Sequence, residues 1–229
     1  MAKRAARIAS LMLHTSPLDQ AGTGDAGGMN VYVVESAKRI AAAGVEVDIF
    51  TRANRANLEE KVEIAPGVNV LHLEAGPYDG ISKDEMPSQI GAFMSSFMRL
   101  ENKFPIGHYD LIHSHYWISG QLGWLISDRL SMPLVHTMHT MAKVKNLEQV
   151  VKASSALIAN TASEAASLVS LYDACPDNVF VVPPGVDLST YKVGVGKKTS
   201  RKKIGMDEQK LMLLFVGRIQ PHKGPEVLI

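Results

Sequence analysis

The stretch GTGDAGGMN, residues 22–30, contains four glycines and lies between an apolar run and a helical pattern. The apolar run, residues 8–13, predicts a buried strand, and the apolar spacing over residues 29–43 predicts a helix. Glycines at a strand-to-helix junction let the backbone approach a ligand closely, and the first turn of a helix offers free N–H groups that suit an anion. The stretch therefore predicts an anion-binding loop, with a ligand-free surface loop as the alternative.

Short apolar runs alternate with helical patterns over most of the chain. The predicted strands are residues 8–13, 45–51, 68–73, 111–113, 134–136, 156–160 and 179–182, and the predicted helices are 29–43, 87–103, 118–129, 147–154 and 162–172. Nearly continuous apolar strands that alternate with helices are typical of a parallel sheet covered on both faces. We therefore predict an α/β fold whose N-terminal domain is doubly wound and Rossmann-like, with ligands at the carboxyl ends of the strands.

A domain boundary is predicted where two prolines and a glycine, Pro183, Pro184 and Gly185, follow the last strand. Residues 1–183 would form the N-terminal domain, and residues 184–208, which include a basic run, would form a linker. The apolar residues 211–216 predict the opening strand of a second Rossmann-like domain over residues 209–229. Because one strand and half a helix cannot bury a core, we expect a fragment that lacks most of that domain.

Charge and cysteine content exclude several classes of protein. The 24 Lys and Arg residues nearly balance the 23 Asp and Glu residues, so nothing indicates a nucleic-acid partner. The single cysteine, Cys175, fits a reducing, cytoplasmic compartment rather than a disulfide framework. The sequence contains no run of about eighteen apolar residues, so it predicts neither a membrane span nor a membrane partner.

Histidines cluster where three of the predicted strands end. His14 follows the first strand, HSHYW (residues 113–117) the fourth, and HTMHT (residues 136–140) the fifth. Imidazoles bind metals, but no cysteine or carboxylate cluster accompanies these, so we predict no metal site here. A second alternative to a ligand site is that these histidines only end their strands and bond to the loop backbone. The favoured prediction is a polar ligand cleft.

Arg218 and Lys223 follow the apolar residues 211–216 and form a further pair of interest. An Arg at a strand end and a Lys entering a helix can bind one diphosphate, the Arg as a planar fork and the Lys as a point charge. The alternative is that both residues are exposed to solvent and bind no ligand, as basic residues near a strand end usually are.

Several segments resemble the family 4, retaining, GT-B-fold glycosyltransferases, most closely the actinobacterial D-inositol-3-phosphate type of mycothiol biosynthesis. The resembling segments are residues 12–17, 22–32, 75–78, 110–117, 136–146, 181–187 and 215–224. They cover the chain nearly end to end, and the DAGGMN loop and the HTMHT run are the most specific. A similar Gly-Gly loop occurs in relatives of sucrose-phosphate synthase.

The resemblance implies a donor, UDP-N-acetylglucosamine, and an acceptor, 1D-myo-inositol 3-phosphate. Matching positions would bind the acceptor through His14, Asp25, Ala26, Gly27, Gly28, Met29, Asn30, Lys83, Tyr116 and Thr140. The nucleotide sugar would contact Gln20, Ala21 and Gly28, with Arg218 and Lys223 on its diphosphate and His139 along the reacting sugar. His139, Arg218 and Lys223 would thus be the catalytic residues of a retaining hexosyltransferase. A homodimer and a magnesium site in the absent C-terminal part are left open.

The chain departs from this family in two places. An acidic and basic loop, with an arginine for the acceptor phosphate, is missing between Asn146 and Leu147, and most of the C-terminal domain is absent. We therefore expect no transfer by this chain alone.

Two other kinds of protein compete with the transferase. One is a non-catalytic module that binds a sugar phosphate or nucleotide. The other, a Rossmann oxidoreductase, is disfavoured because a long polar loop precedes the glycines and Thr51-Arg52, not an acidic residue, closes the second strand. Another family 4 transferase, such as one of the sucrose-phosphate-synthase kind, is the third alternative.

Overall fold

The computed structural model describes residues 4–79, 81–140, 147–192, 194, 196–217, 219–220 and 223–228. Eight strands form one sheet. They are β1 (Arg7–Leu11), β2 (Glu46–Arg52), β3 (Lys61–Ala65), β4 (Val68–Leu73), β5 (Leu111–His115), β6 (Leu134–Thr137), β7 (Ala156–Ala159) and β8 (Val179–Val181). Their order across the sheet is β3-β4-β2-β1-β5-β6-β7-β8. Every neighbouring pair is parallel except β3 and β4, so the predicted parallel sheet is confirmed.

The first five helices follow the predicted pattern closely, and two short ones come after them. They are α1 (Gly28–Ala42), α2 (Ile90–Glu101), α3 (Trp117–Leu130), α4 (Leu147–Ala153), α5 (Ala162–Tyr172), α6 (Lys197–Lys203) and the single turn α7 (Pro225–Leu228). Short 3₁₀ turns at Met86–Gln89 and Pro176–Asn178 precede α2 and β8.

Successive residues of β1 pack into different apolar clusters, as the two-residue period of a strand requires. Ile8 packs with α1 residues such as Val33, whereas Ala9 packs with α2 and α3 residues such as Phe97 and Ile126. A third cluster lies under α4 and α5, beside β7. Helices therefore bury both faces of the sheet, which leaves its carboxyl-end loops to form a site.

The sequence analysis missed β3. Its residues KVEIA alternate in polarity, and it pairs antiparallel with β4 at the edge of the sheet. A short, half-exposed edge strand lacks the apolar run by which the buried strands were recognised.

The strand predicted over residues 211–216 is wrong, because these residues are neither helix nor strand. Leu211 and Val216 are 87% and 85% exposed. A strand needs a hydrogen-bonded neighbour, and the described residues after Pro184 contain no other strand to supply one.

The chain divides into two compact units after Pro183. The linker over residues 184–208 and the start of a second domain stay predictions.

Candidate functional site

Asn30 holds the glycine-rich loop to the end of β1. Its side-chain oxygen accepts a hydrogen bond from the N–H of Gly27 at 3.0 Å. Its amide nitrogen donates to Oγ1 of Thr15 at 3.1 Å and to the carbonyl of Ser16 at 2.7 Å. Asn30 is buried, and this one side chain joins the turn before α1 to the segment that follows β1. Its contact with an acceptor stays a prediction, and the structure gives it a role in shaping the loop.

His14 lies close to three other predicted acceptor residues, Tyr116, Lys83 and Asp25. Its ring centroid is 4.3 Å from that of Tyr116, and its Nδ1 is buried without a hydrogen-bond partner among the described residues. Burial, followed by the nearby charge of Lys83, lowers the pKa of His14 to about 3, while Asp25 raises it. His14 is therefore neutral at physiological pH, with an unused polar nitrogen.

Lys83 reaches the same place from the loop after β4. Its ammonium donates to Oδ1 of Asp25 at 2.6 Å. Both side chains are partly exposed, at 32% and 46%, so the pair contributes little to stability. The contact places a cation and the glycine-rich loop side by side.

A cavity of about 240 Å³ opens among these loops. Its walls are Leu13, His14, Thr15, Ser16, Asp19, Thr23, Gly24, Asp25, Arg52 and Asn54. Two of them, His14 and Asp25, are predicted acceptor residues. Arg52 is the cation in this lining, and the sequence analysis did not assign it to the site. Its place directly after a buried strand, at the ligand-binding edge of a parallel sheet, was the signal that could have found it.

The other predicted histidines form a buried group along β5, β6 and the turn after β6. His113 and His115 lie inside β5, not after it as predicted, and their ring centroids are 4.1 Å apart. Nδ1 of His115 is 3.0 Å from Nε2 of His139, and Nε2 of His113 is 2.9 Å from Oγ1 of Thr137. His136 contacts Ser114 Oγ through Nδ1 at 2.8 Å.

Burial keeps this group neutral. It lowers the pKa of His113 and His136 to about 3 and that of His139 to about 4, and it lowers the pKa of His115 well below its usual range. Within the described ranges, no three or more His, Cys, Asp or Glu side chains are arranged to hold a metal ion. The group is therefore a set of neutral imidazoles, of which His115 and His139 contact each other while His113 and His136 contact hydroxyl groups.

His139 and Thr140 line a second cavity, of about 290 Å³, with Thr161, Ser163, Glu164 and Ser167. His139 has a φ of 59° and Tyr116, at the start of α3, a φ of 73°. Residues other than glycine rarely adopt positive φ, and such backbone often occurs where a side chain must be aimed at a ligand. Both strained residues lie beside Tyr32 or His14, at the carboxyl-end edge of the sheet.

The remaining predicted residues divide between the two units. Ala26 is buried, whereas Gln20 and Ala21 on the loop and Gly28 at the start of α1 are exposed. Lys223 belongs to the second unit and is exposed. Arg218 lies outside the described residues, as do residues 141–146 before the predicted loop deletion.

A third cavity, of about 230 Å³, lies beside β4 and α2. Arg55 lines it, and so do two ion pairs, Lys103 with Glu60 and Arg99 with Glu74. None of the predicted site residues takes part. No helix in the described part of the chain is long and apolar enough to cross a membrane.

Comparison with known proteins agrees with this architecture. The model of the family described as Glycosyltransferase Family 4 matches residues 26–190. The D-inositol 3-phosphate glycosyltransferase of Geodermatophilus obscurus is 50% identical over 240 residues, which cover 97% of this chain and 53% of the relative. That of Nocardioides sp. is 52% identical over 97% of this chain and 52% of the relative. The chain thus spans about half the length of these relatives. The alignment is also longer than the chain, so the relatives contain residues that it lacks.

Solved structures share the fold. Sucrose-phosphate synthase from Thermosynechococcus elongatus superposes with a TM-score of 0.85 at 26% identity, over 97% of this chain and 58% of that one. Anabaena HepE in complex with UDP-glucose superposes with a TM-score of 0.54 at 17% identity, over 88% and 50%. The sheet order, the family match and these relatives together show that the chain belongs to glycosyltransferase family 4 and has the Rossmann-like fold of GT-B glycosyltransferases.

Proposed function

We propose that this chain is the acceptor-binding part of an enzyme that transfers N-acetylglucosamine from UDP-N-acetylglucosamine to 1D-myo-inositol 3-phosphate, the first step of mycothiol biosynthesis. The observation that carries the proposal is the contact of Lys83 with Asp25 beside the half-buried His14 and Tyr116. The names of the relatives support this choice of acceptor.

The charges around the cavity suit a phosphorylated polyol. Lys83 is a point charge for the phosphate, and the neutral His14 offers a ring nitrogen to a hydroxyl. When the phosphate replaces Asp25 as the partner of Lys83, the Asp25 carboxylate accepts hydrogen bonds from the hydroxyls of the acceptor. In this proposal Thr140 and Tyr116 add neutral hydroxyl donors.

The donor half of the proposal rests on the sequence. Gln20, Ala21 and Gly28 contact the nucleotide sugar, His139 lies along the reacting sugar, and Arg218 and Lys223 bind the diphosphate. Departure of UDP leaves negative charge on the β-phosphate, and fixed cations stabilise that charge as it develops. Retention then follows from attack on the same face, assisted by the leaving phosphate rather than by a protein carboxylate. The proposal needs no cofactor in this chain.

The test combines binding and transfer. Calorimetry should show that the 229-residue chain binds inositol 3-phosphate and that unphosphorylated inositol binds far more weakly. A full-length parent protein should transfer N-acetylglucosamine to inositol 3-phosphate, with the anomeric configuration of the donor kept in the NMR coupling constants. Equal binding of both acceptors, or an inverted product, would contradict the proposal.

A second candidate is a family 4 transferase with another sugar phosphate as acceptor. The close superposition with sucrose-phosphate synthase favours it. The same calorimetry with a panel of hexose phosphates separates the two, since only one acceptor should bind tightly. The 229-residue chain alone should release no UDP, because catalysis requires donor and acceptor to be held together and this chain spans only about half the length of its transferase relatives.

A further inference from the structure

Arg52 stands between the two loops that bear the predicted acceptor residues. It is the last residue of β2 and lies opposite Leu73, the last residue of β4. Its neighbour Thr51 donates to the carbonyl of Thr15, in the segment after β1. Arg52 itself reaches the segment after β4, where it contacts the carbonyl of Pro77.

The guanidinium of Arg52 is anchored through one nitrogen. Nη1 donates to the carbonyl of Pro77 at 2.8 Å, with longer contacts to the carbonyls of Tyr78 at 3.3 Å and Ala53 at 3.4 Å. Within the part of the chain that the structure describes, all hydrogen bonds of the Arg52 side chain come from Nη1. The opposite edge of the guanidinium, Nε and Nη2, therefore keeps its donors for another partner.

That edge is the one with which arginine binds a phosphate. Two parallel N–H groups on a planar fork match two oxygens of a phosphate or a carboxylate. Arg52 is half-buried and lines the 240 Å³ cavity with His14 and Asp25. Anchoring through Nη1 already fixes the side chain, so less rotamer entropy is lost when a ligand binds.

The charges near Arg52 leave this cation available. Burial lowers the pKa of Arg52, and the nearby Asp79 opposes this in part. Asp19 and Asp25 line the same cavity. Asp19 accepts from the N–H of Ser16, and Asp25 contacts Lys83. Among the described residues, Asp19 makes no hydrogen bond with Arg52.

We infer that Arg52 is a specificity-determining residue that binds the phosphate of the acceptor through Nε and Nη2, opposite Lys83. The inference rests on the proposed function for the identity of that acceptor. It gives the acceptor phosphate two cations of different geometry, a fork from Arg52 in the cavity lining and a point charge from Lys83 beside Asp25, which select a phosphorylated sugar over its unphosphorylated form.

A purely structural role for Arg52 gives a different result. If Arg52 only held the carbonyl of Pro77, its loss would distort the loop and weaken every ligand of the cavity equally. A phosphate contact weakens only phosphorylated ligands. The ratio of affinities for inositol 3-phosphate and inositol therefore separates the two roles.

The experiment measures that ratio by calorimetry for the 229-residue chain and for Arg52→Gln, Arg52→Lys and the control Arg55→Gln. Arg55 is an exposed arginine that lines the separate 230 Å³ cavity. Arg52→Gln should raise the Kd for inositol 3-phosphate about 10- to 100-fold, as for the loss of a charged hydrogen bond, and leave that for inositol unchanged. Arg52→Lys should restore part of the affinity, and Arg55→Gln should bind both acceptors with the same Kd values as the unsubstituted 229-residue chain. Thermal unfolding of each variant checks that the fold is retained.

The outcomes separate this inference from the proposed function. If the unsubstituted 229-residue chain binds inositol 3-phosphate and Arg52→Gln binds it as tightly, the inference is overturned and the proposed function stands. An equal loss for both acceptors also overturns it. If another sugar phosphate is the acceptor and its binding falls with Arg52→Gln, the inference stands while the proposed acceptor is wrong. If no sugar phosphate binds to the parent, both are overturned.

Discussion

The ammonium of Lys83 lies 2.6 Å from Oδ1 of Asp25, although 58 positions separate the two residues in the chain. The contact joins the loop after β4 to the glycine-rich loop before α1. In the proposed complex, the acceptor phosphate takes the place of the carboxylate as the partner of the ammonium.

Replacing Lys83 by alanine should weaken binding of inositol 3-phosphate by about 1.5–3 kcal/mol, the range for a hydrogen bond to a charged group. Binding of UDP-N-acetylglucosamine to a full-length parent should barely change. Calorimetry with each ligand measures both effects. Lys103→Ala, which removes a lysine paired with Glu60 on the surface, is the matched control. An equal loss for unphosphorylated inositol would show that Lys83 does not bind the phosphate.

Adding a methyl group at Gly120 should destabilise the domain. A Cβ there would lie 2.8 Å from Cε1 of His136 and 3.0 Å from Cγ1 of Val150, both in the buried interior. Gly120→Ala should therefore lower the free energy of unfolding by about 1–3 kcal/mol. Gly91→Ala, in α2 with open space around the new Cβ, should instead raise it by about 0.5–1 kcal/mol. Urea titrations of both variants compare these free energies, and a loss for Gly91→Ala as large as that for Gly120→Ala would refute the crowding argument.

The buried histidines should make stability depend on pH. His14, His113, His136 and His139 have folded-state pKa values of about 3 to 4, below the usual value of 6.5. The unfolded chain therefore binds more protons than the folded one between these pKa values. The free energy of unfolding should be highest above about pH 7 and fall as the pH is lowered towards 4.

Each such histidine contributes at most about 1.4 kcal/mol per pH unit in that range. Urea unfolding at pH 7, 6 and 5 measures the slope. His136→Asn should make the slope shallower by its share, and an identical slope in that variant would show that His136 is not held neutral.

In a full-length parent, Arg218→Ala and Lys223→Ala should each lower kcat. We expect a cost of about 2–4 kcal/mol in the transition state, because both cations are proposed to stabilise the departing diphosphate. Steady-state kinetics with inositol 3-phosphate should show little change in acceptor KM. If either variant keeps the kcat of the unsubstituted full-length protein, the substituted residue does not bind the diphosphate and is only exposed to solvent.

Local sequence patterns were sufficient for most of the fold. Five helices and seven strands of the first unit were predicted within a few residues, because each buried element leaves its own period in the chain. β3 was missed because an exposed edge strand has little apolar signal. The strand predicted over residues 211–216 is wrong for the opposite reason. Its apolar signal is strong, but an apolar run forms a strand only beside a neighbouring strand to which it can hydrogen-bond.

The sequence by itself determined the α/β class, the glycine-rich loop before α1, and the histidines and Lys83 as site candidates. The tertiary structure decided which of them meet. The order β4-β2-β1-β5 places the ends of these strands side by side, so that Lys83, Arg52, His14 and Tyr116 gather around one edge of the sheet. It also decided that the histidines are neutral, because their pKa values depend on burial by segments far away in the chain. Periodicity is a property of one segment, whereas strand order and burial belong to the whole domain.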